Sequence, residues 1–190
     1  MRLNLGCGFD KRAGFINVDK MPACAPDQLV NLEQLPWPWP DDAAEAVVLR
    51  HALEHLGAAS ETYLGIIREL WRICRDGAQV TITVPHPRHD SFLSDPTHVR
   101  AVTPQGLELF SQAKNREWQA KGCANTPLGL YLGVDFAIAS VNFAPDEPWA
   151  GRLQRGEITR AELHQAMHQF NNVIAETTVV LRAVKPAGAR

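Results

Sequence analysis

The run LNLGCG at Leu3 to Gly8, followed by the carboxylate that ends INVD at Asp19, constrains this chain more than any other feature. Leu3, Asn4 and Leu5 read as a short buried strand. Gly6 and Gly8 let the turn after it bring bare backbone against a ligand. Residues 15–18 read as a second strand, so Asp19 stands at its carboxyl end beside the glycine turn. A carboxylate in that place accepts both hydroxyl hydrogens of a ribose, as the acid does in dinucleotide folds, and the pairing suits an adenosyl cofactor. The spacing argues against NAD. A GxGxxG fingerprint needs glycine where Lys11 stands and an acid about twenty residues further on. A glycine turn alone serves equally well as a plain strand-to-loop connection, so the rest of the chain has to decide.

Short apolar strands alternate with helical stretches, the pattern of a mainly parallel sheet covered on both faces. Strands are expected at 2–5, 15–18, 28–31, 46–49 and 78–84. Two longer final strands follow at 134–144 and 173–184, with a helix at 159–170 between them. The clearest helix runs from Ser60 to Cys74, where Tyr63, Ile66, Ile67, Leu70 and Trp71 recur at helical spacing and Asp76-Gly77 supplies the stop. Thr103-Pro104 opens another, with threonine as cap and proline in the first turn. LPWPWPDD, Leu35 to Asp42, reads as a rigid surface loop.

The 190 residues, 45% of them hydrophobic, suit one domain with a sizeable core. With 19 basic against 21 acidic residues and no block of like charge, there is no electrostatic footprint for duplex nucleic acid. Cys7, Cys24, Cys74 and Cys123 are far apart and read as isolated reduced thiols rather than a disulfide or zinc framework. No signal peptide or membrane-length apolar run is present. The expectation is a cytoplasmic chain without a membrane partner.

Five segments line up in order: LNLGCG, GFINVD, NLEQLPWPWPDDAAEAVVLRHALEHL, ELWRICRDGAQVTITVP and DPTHVRAVTP, together spanning about residues 2–105. In that order and spacing the chain resembles a class I S-adenosylmethionine-dependent methyltransferase, of the small type in which the first helix is almost absent. The resemblance implies a three-layer, Rossmann-like α/β fold with a mainly parallel seven-stranded sheet and an antiparallel final strand. It implies one domain over 1–190, with a cofactor-binding core at 1–105 and acceptor-side insertions near 86–103, 111–133 and 145–170. Carried over, Leu5, Gly6, Cys7 and Gly8 face the methionine end of S-adenosylmethionine, Asp19 holds the ribose, and Asn31 with Leu32 flanks the adenine. Arg50 and His51, after the fourth strand, lie beside the transferable methyl group. Asn4 and Asn31 depart from the family, standing where acids are common, so contacts there are neutral hydrogen bonds.

RHALEHL, Arg50 to Leu56, contains HxxEH, which matches the inverted zinc-protease pattern if His51 and His55 share a helix face. That reading needs a third ligand and long helices, whereas this segment directly follows a strand. In the methyltransferase reading His51 touches cofactor or acceptor, while Glu54 and His55 hold the segment in place. Related methyltransferases of the quinone-biosynthesis and small-RNA 2′-O types look similar here, carry glutamate where His51 stands and bind magnesium through this cluster, so the resemblance allows a metal at His51, Glu54 and His55, though none is expected. PHPRHDSFLSDPTHVRAVT, residues 85–103, concentrates His86, Arg88, His89, His98 and Arg100 over the carboxyl ends of the strands. It is the expected acceptor-binding lid, and His98 joins His51 as a candidate to take a proton from an oxygen or nitrogen nucleophile, the alternative being that Asp95 and His98 mainly brace the loop by hydrogen bonds. Trp118, Tyr131 and Trp149 are candidate stacking surfaces, and His164 and His168 read as a solvated face. The expected activity is methyl transfer to a small-molecule or glycan-type acceptor. The alternatives are cofactor binding without transfer, or metal-dependent hydrolysis. The final strands allow pairing into a homodimer.

Overall fold

The computed structural model describes residues 1–186. Seven strands form one sheet: β1 (Arg2–Leu5), β2 (Ile16–Asp19), β3 (Gln28–Leu29), β4 (Ala44–Arg50), β5 (Cys74–Pro85), β6 (Phe136–Pro145) and β7 (Ile174–Ala183). The helices are α1 (Ser60–Ile73), α2 (Asp90–Leu93), α3 (Pro104–Glu108), α4 (Gln112–Ala120), α5 (Leu128–Leu132), α6 (Trp149–Gln154) and α7 (Arg160–Gln169). Strand order is β3-β2-β1-β4-β5-β7-β6. The pairs from β3 to β5 are all parallel, and β7 runs antiparallel to both β5 and β6. This is the mainly parallel α/β sheet with an antiparallel final strand that the sequence predicts. β1 passes to β2 through residues 6–15 with no helix. Among the described residues no helix is long and apolar enough to cross a membrane.

α1 forms because Tyr63, Ile66, Ile67, Leu70 and Ile73 return to one side of a 3.6-residue helix, and all five are buried. Each such side chain contributes about 1.5–3 kcal/mol on leaving water. The helix ends when Cys74 turns extended (φ −74°, ψ 131°), and the chain runs straight into β5. Asp76-Gly77 therefore does not stop the helix as expected. It falls at the start of β5, where the register against β4 shifts between Ala44 and Ala46.

LPWPWPDD is likewise not a plain surface loop. Its prolines point outward while Trp37 and Trp39 alternate inward and are 3% and 5% exposed. Their indole N–H groups donate to Leu32 O (3.0 Å) and Gln28 Oε1 (2.9 Å). Arg72 on α1 ties the segment down. It donates two 2.7 Å bonds to Glu69 and also reaches the carbonyls of Trp37 (3.1 Å) and Trp39 (2.9 Å). Glu69 in turn accepts the Trp37 backbone N–H at 2.6 Å. The Arg72 guanidinium beside it holds the Glu69 carboxyl below the ordinary carboxylate range.

The sheet has two unlike faces. Leu3, Leu49, Val80, Ile82, Val179 and Leu181 alternate to one side and join α1, Leu107 of α3 and Phe110 in the main core. A second cluster, with Leu163 and Ala166 of α7, packs onto the same side through Phe143. On the other side Arg50, Gln79, Thr81, Thr83, Thr178 and Arg182 belong to neither cluster and are half-buried or exposed, and the buried residues there, Asn4, Asn17 and Val48, are outside both clusters as well. The expectation of helices on both faces is corrected accordingly. The crossovers that would supply a second helical layer, from β1 to β2 and from β2 to β3, contain only loop and one 3₁₀ turn, Pro22–Cys24.

Candidate functional site

The carboxyl ends of β1, β2 and β4 meet in a cleft of about 420 Å³. Gly6, Gly8, Asp19, Asn31, Leu32 and His51 all line it. The turn after β1 comes so close to the end of β4 that a Cβ on Gly6, whose φ is +66°, would lie 2.7 Å from Ala52 Cβ. Asp19 is held by both oxygens: Gly8 N–H donates to Oδ2 (2.8 Å) and Met21 N–H to Oδ1 (2.9 Å). Each oxygen keeps a further lone pair for a ligand. The Asn31 side-chain oxygen accepts the Glu33 N–H (3.0 Å), which leaves its amide nitrogen to donate.

Sequence reasoning did not assign Lys20, Val30, Ala52, Leu56 or Thr97 to this cleft. Lys20, Val30 and Ala52 each adjoin a residue it did assign, so proximity in the chain was a usable signal. Thr97 arrives from the loop after β5, where it adjoins His98 inside the expected acceptor-binding lid, so the same signal was present there.

Four nominated residues stand away from the cleft lining. Leu5 is fully buried in the core, and Cys7 is 5% exposed with its thiol pushed up by burial first and then by the Asp19 charge. Arg50 projects from the polar sheet face toward Asp10 (3.7 Å) and Glu176 (3.9 Å). His98 lies behind Thr97, with its Nδ1–H donating to Phe92 O at 2.8 Å. Asn4 is also turned away, donating to Asp10 O (2.8 Å) and Asn17 Oδ1 (3.0 Å), so it anchors the loop before β2.

His51 has the left-handed backbone φ of +49°, an uncommon state for a non-glycine residue that costs about 1–3 kcal/mol and is typical of functional sites. Its N–H is fixed to Thr83 O (2.8 Å), and its Nε2–H donates to Glu176 Oε1 (2.8 Å). Nδ1 lies 3.5 Å from Glu54 Oε1. Glu54 foremost, and Glu176 after it, raise the pKa of His51 against the opposing effect of burial. Glu176 was missed because it sits on β7 and meets His51 only through the antiparallel pairing of Pro85 with Glu176.

The HxxEH residues do not share a helix face, because Leu53–His55 is a single 3₁₀ turn. His51 turns to Glu176, while His55 turns to Thr97 (2.9 Å) and lies against the His98 ring at a tilt of 59° (ring centroids 4.6 Å apart). The pairing on which the hydrolase reading depends is not formed. In the loop after β5, Arg88 donates to the carbonyls of Met167 (3.1 Å) and His168 (2.9 Å), and His89 to Asp146 (2.9 Å). Those side chains brace the loop onto α7 and the end of β6. Trp149 stacks on Phe170 (5.9 Å), and Tyr131 is 70% exposed; neither lines the cleft.

No family model and no curated protein sequence matches this chain. Solved structures do. A SAM-dependent methyltransferase from Archaeoglobus fulgidus is 17% identical with a TM-score of 0.63, over 95% of this chain and 84% of that one. A SAM-dependent methyltransferase from Methanosarcina mazei is 13% identical with a TM-score of 0.53, over 97% and 92%. The [4+2]-cyclase SpnF is 16% identical with a TM-score of 0.52, over 97% and 74%. The chain has the fold of the class I S-adenosylmethionine-dependent methyltransferases.

Proposed function

We propose that this chain transfers a methyl group from S-adenosylmethionine to a small-molecule or glycan-type acceptor. One observation carries the reading: within that strand order, the glycine turn and a doubly anchored Asp19 share a single cleft with Asn31, Leu32 and His51. An adenosyl group fits there. Gly6 and Gly8 offer bare backbone, the Asp19 carboxylate is fixed to accept two ribose hydroxyls, and Val30 and Leu32 give apolar walls for a flat ring. When bound, S-adenosylmethionine supplies an electrophilic methyl group on a positively charged sulfur. The protein's own work is then to hold the acceptor in line at about 3–3.5 Å and to exclude water. His51, fixed by Glu176 and set at the end of β4 in the cleft lining, is the group we assign to take an acceptor proton, and it does so only above its raised pKa.

The test is calorimetric titration with S-adenosylmethionine and S-adenosylhomocysteine, beside Asp19→Ala. Losing two charged hydrogen bonds, at about 1.5–3 kcal/mol each, predicts at least about a 100-fold weaker affinity. Unchanged affinity in Asp19→Ala would remove the ribose assignment, and absence of binding by the wild type would remove the cofactor. Labelled methyl transfer across hydroxylated small molecules and sugars then separates a transferase from a protein that binds the cofactor without transferring its methyl.

A further inference from the structure

We infer that Glu54, His55 and His98 bind one divalent transition-metal ion of the zinc class at the edge of the cleft. Glu54 is completely buried, yet neither carboxylate oxygen has a hydrogen-bond partner among the described residues. His51 Nδ1, 3.5 Å from Glu54 Oε1, is a charge partner at the outer limit of a hydrogen bond, and it leaves Oε2 unmet. A buried carboxylate left in that state is strongly disfavoured unless a cation or donor meets it.

Two imidazoles stand beside it, and their hydrogen bonds assign the ring nitrogen that carries the hydrogen in the neutral form. His98 Nδ1 is bonded to a carbonyl, Phe92 O, so Nδ1 carries the hydrogen and Nε2 keeps its lone pair. At His55 the same result follows by a relay. The Thr97 hydroxyl donates its own hydrogen to Asp95 Oδ1 (2.6 Å), so it can only accept from His55 Nδ1, which again leaves Nε2 free. Metal-binding histidines are commonly oriented in this way, with the far ring nitrogen donating to a carbonyl or to a carboxylate-backed group.

One ligand atom from each of Glu54, His55 and His98 lies within 4.8 Å of the others. Ligands at ordinary zinc distances stand about 3.4 Å apart in a tetrahedral site, so modest side-chain rotations close the set. Two nitrogens and one carboxylate select zinc-class ions over magnesium, which prefers oxygen ligands. His55 and Thr97 line the cleft, so the fourth position opens toward it. The set differs from the one HxxEH suggests: His98 supplies the third ligand, and His51 stands aside with Glu176. The inference does not depend on the cofactor reading.

The test is calorimetric titration of chelator-stripped protein with zinc chloride, with cobalt chloride as a spectroscopic probe of tetrahedral geometry. One equivalent should bind to the wild type, and magnesium chloride over the same range should give no heat. Glu54→Gln and His98→Gln should each weaken zinc by at least about 100-fold. Thr97→Val, which removes only the hydroxyl that orients His55, should weaken it by about 10–100-fold. A stoichiometry near zero, or an affinity unchanged in Glu54→Gln and His98→Gln, overturns the site. Thr97→Val keeps the proposal falsifiable should either ligand variant fail to fold. Titrating the same metal-free samples with S-adenosylhomocysteine shows separately whether the cofactor reading stands.

Discussion

Gly6→Ala is the substitution whose cost the geometry separates most cleanly into parts. The first is conformational. At φ +66° an alanine occupies the left-handed region, which costs a non-glycine residue about 1–3 kcal/mol. The second is steric, because the new Cβ would sit 2.7 Å from Ala52 Cβ. Both atoms are attached directly to backbone, so no side-chain rotation relieves the overlap. Moving a turn off a strand end costs about 1–3 kcal/mol, as overpacking does elsewhere. Gly8→Ala isolates the first part, since its φ is +49° and a Cβ there meets nothing within 4 Å.

Gly6→Ala should therefore unfold about 1–3 kcal/mol more easily than Gly8→Ala, which for a chain of this size is about 2–12 °C in Tm. Denaturant unfolding of both variants measures the difference. Adding Ala52→Gly to Gly6→Ala removes the clash and should recover most of that increment, appearing as a coupling energy in the double-mutant cycle. Equal losses in the two single variants, or a coupling near zero, would refute the close approach that brings the turn and the end of β4 into one cleft wall.

Three further outcomes follow from the same structure. Ile82→Ala on the core face should cost about 2–5 kcal/mol, whereas Thr81→Lys on the polar face should stay within about 0.5 kcal/mol, both read from denaturant midpoints. Arg72→Met strands the Glu69 carboxylate and should cost about 3–5 kcal/mol. Because the folded pKa of Glu69 is depressed, the stability it contributes is present above its unfolded value near 4.3 and is lost as pH falls through the folded one. The gap between wild type and Glu69→Gln should close on acidification. His51 has the opposite sign: its raised pKa adds stability below about 6.5 that disappears as pH rises through the folded value. His51→Gln should thus destabilise more at pH 6 than at pH 9, by under about 1 kcal/mol given the exposed ring. If His51 takes the acceptor proton, the rate profile should inflect above 6.5 in the wild type and lose that inflection in the variant.

What could be read in advance follows from the range over which each feature is decided. The glycine turn and Asp19 belong to one strand-turn-strand unit, and turn chemistry with a carboxylate at a strand end is local information. The later elements were legible for a similar reason, since β6 and β7 carry long alternating runs and Thr159 caps the helix between them with Glu162. The covering of the sheet was also written locally but was read wrongly. QVTITV in β5 alternates polar and apolar strictly, which marks a strand with one solvated face, whereas strands buried on both sides read as nearly continuous apolar runs. The βα alternation of the whole chain points to two covered faces, and the period of β5 points to one. Trp37 and Trp39 follow the same rule, since their spacing of two across prolines puts both on the inner side.

Glu176, by contrast, had no local mark at all. It reaches His51 because β7 pairs antiparallel with β5 in the register Pro85 to Glu176, and one residue of slip would turn it to the core face. His98 reaches Glu54 because Val99 and Arg100 both donate backbone N–H to Glu54 O (2.9 and 3.2 Å), an attachment no spacing announces. Residues that line the cleft from β1, β2 and β4 are thus set by neighbours in the chain, and residues that tune His51 and Glu54 are set by register. A sequence reading should find the first kind and miss the second, and shifting the β5–β7 register should disturb the pKa of His51 while leaving the Asp19 anchor in place.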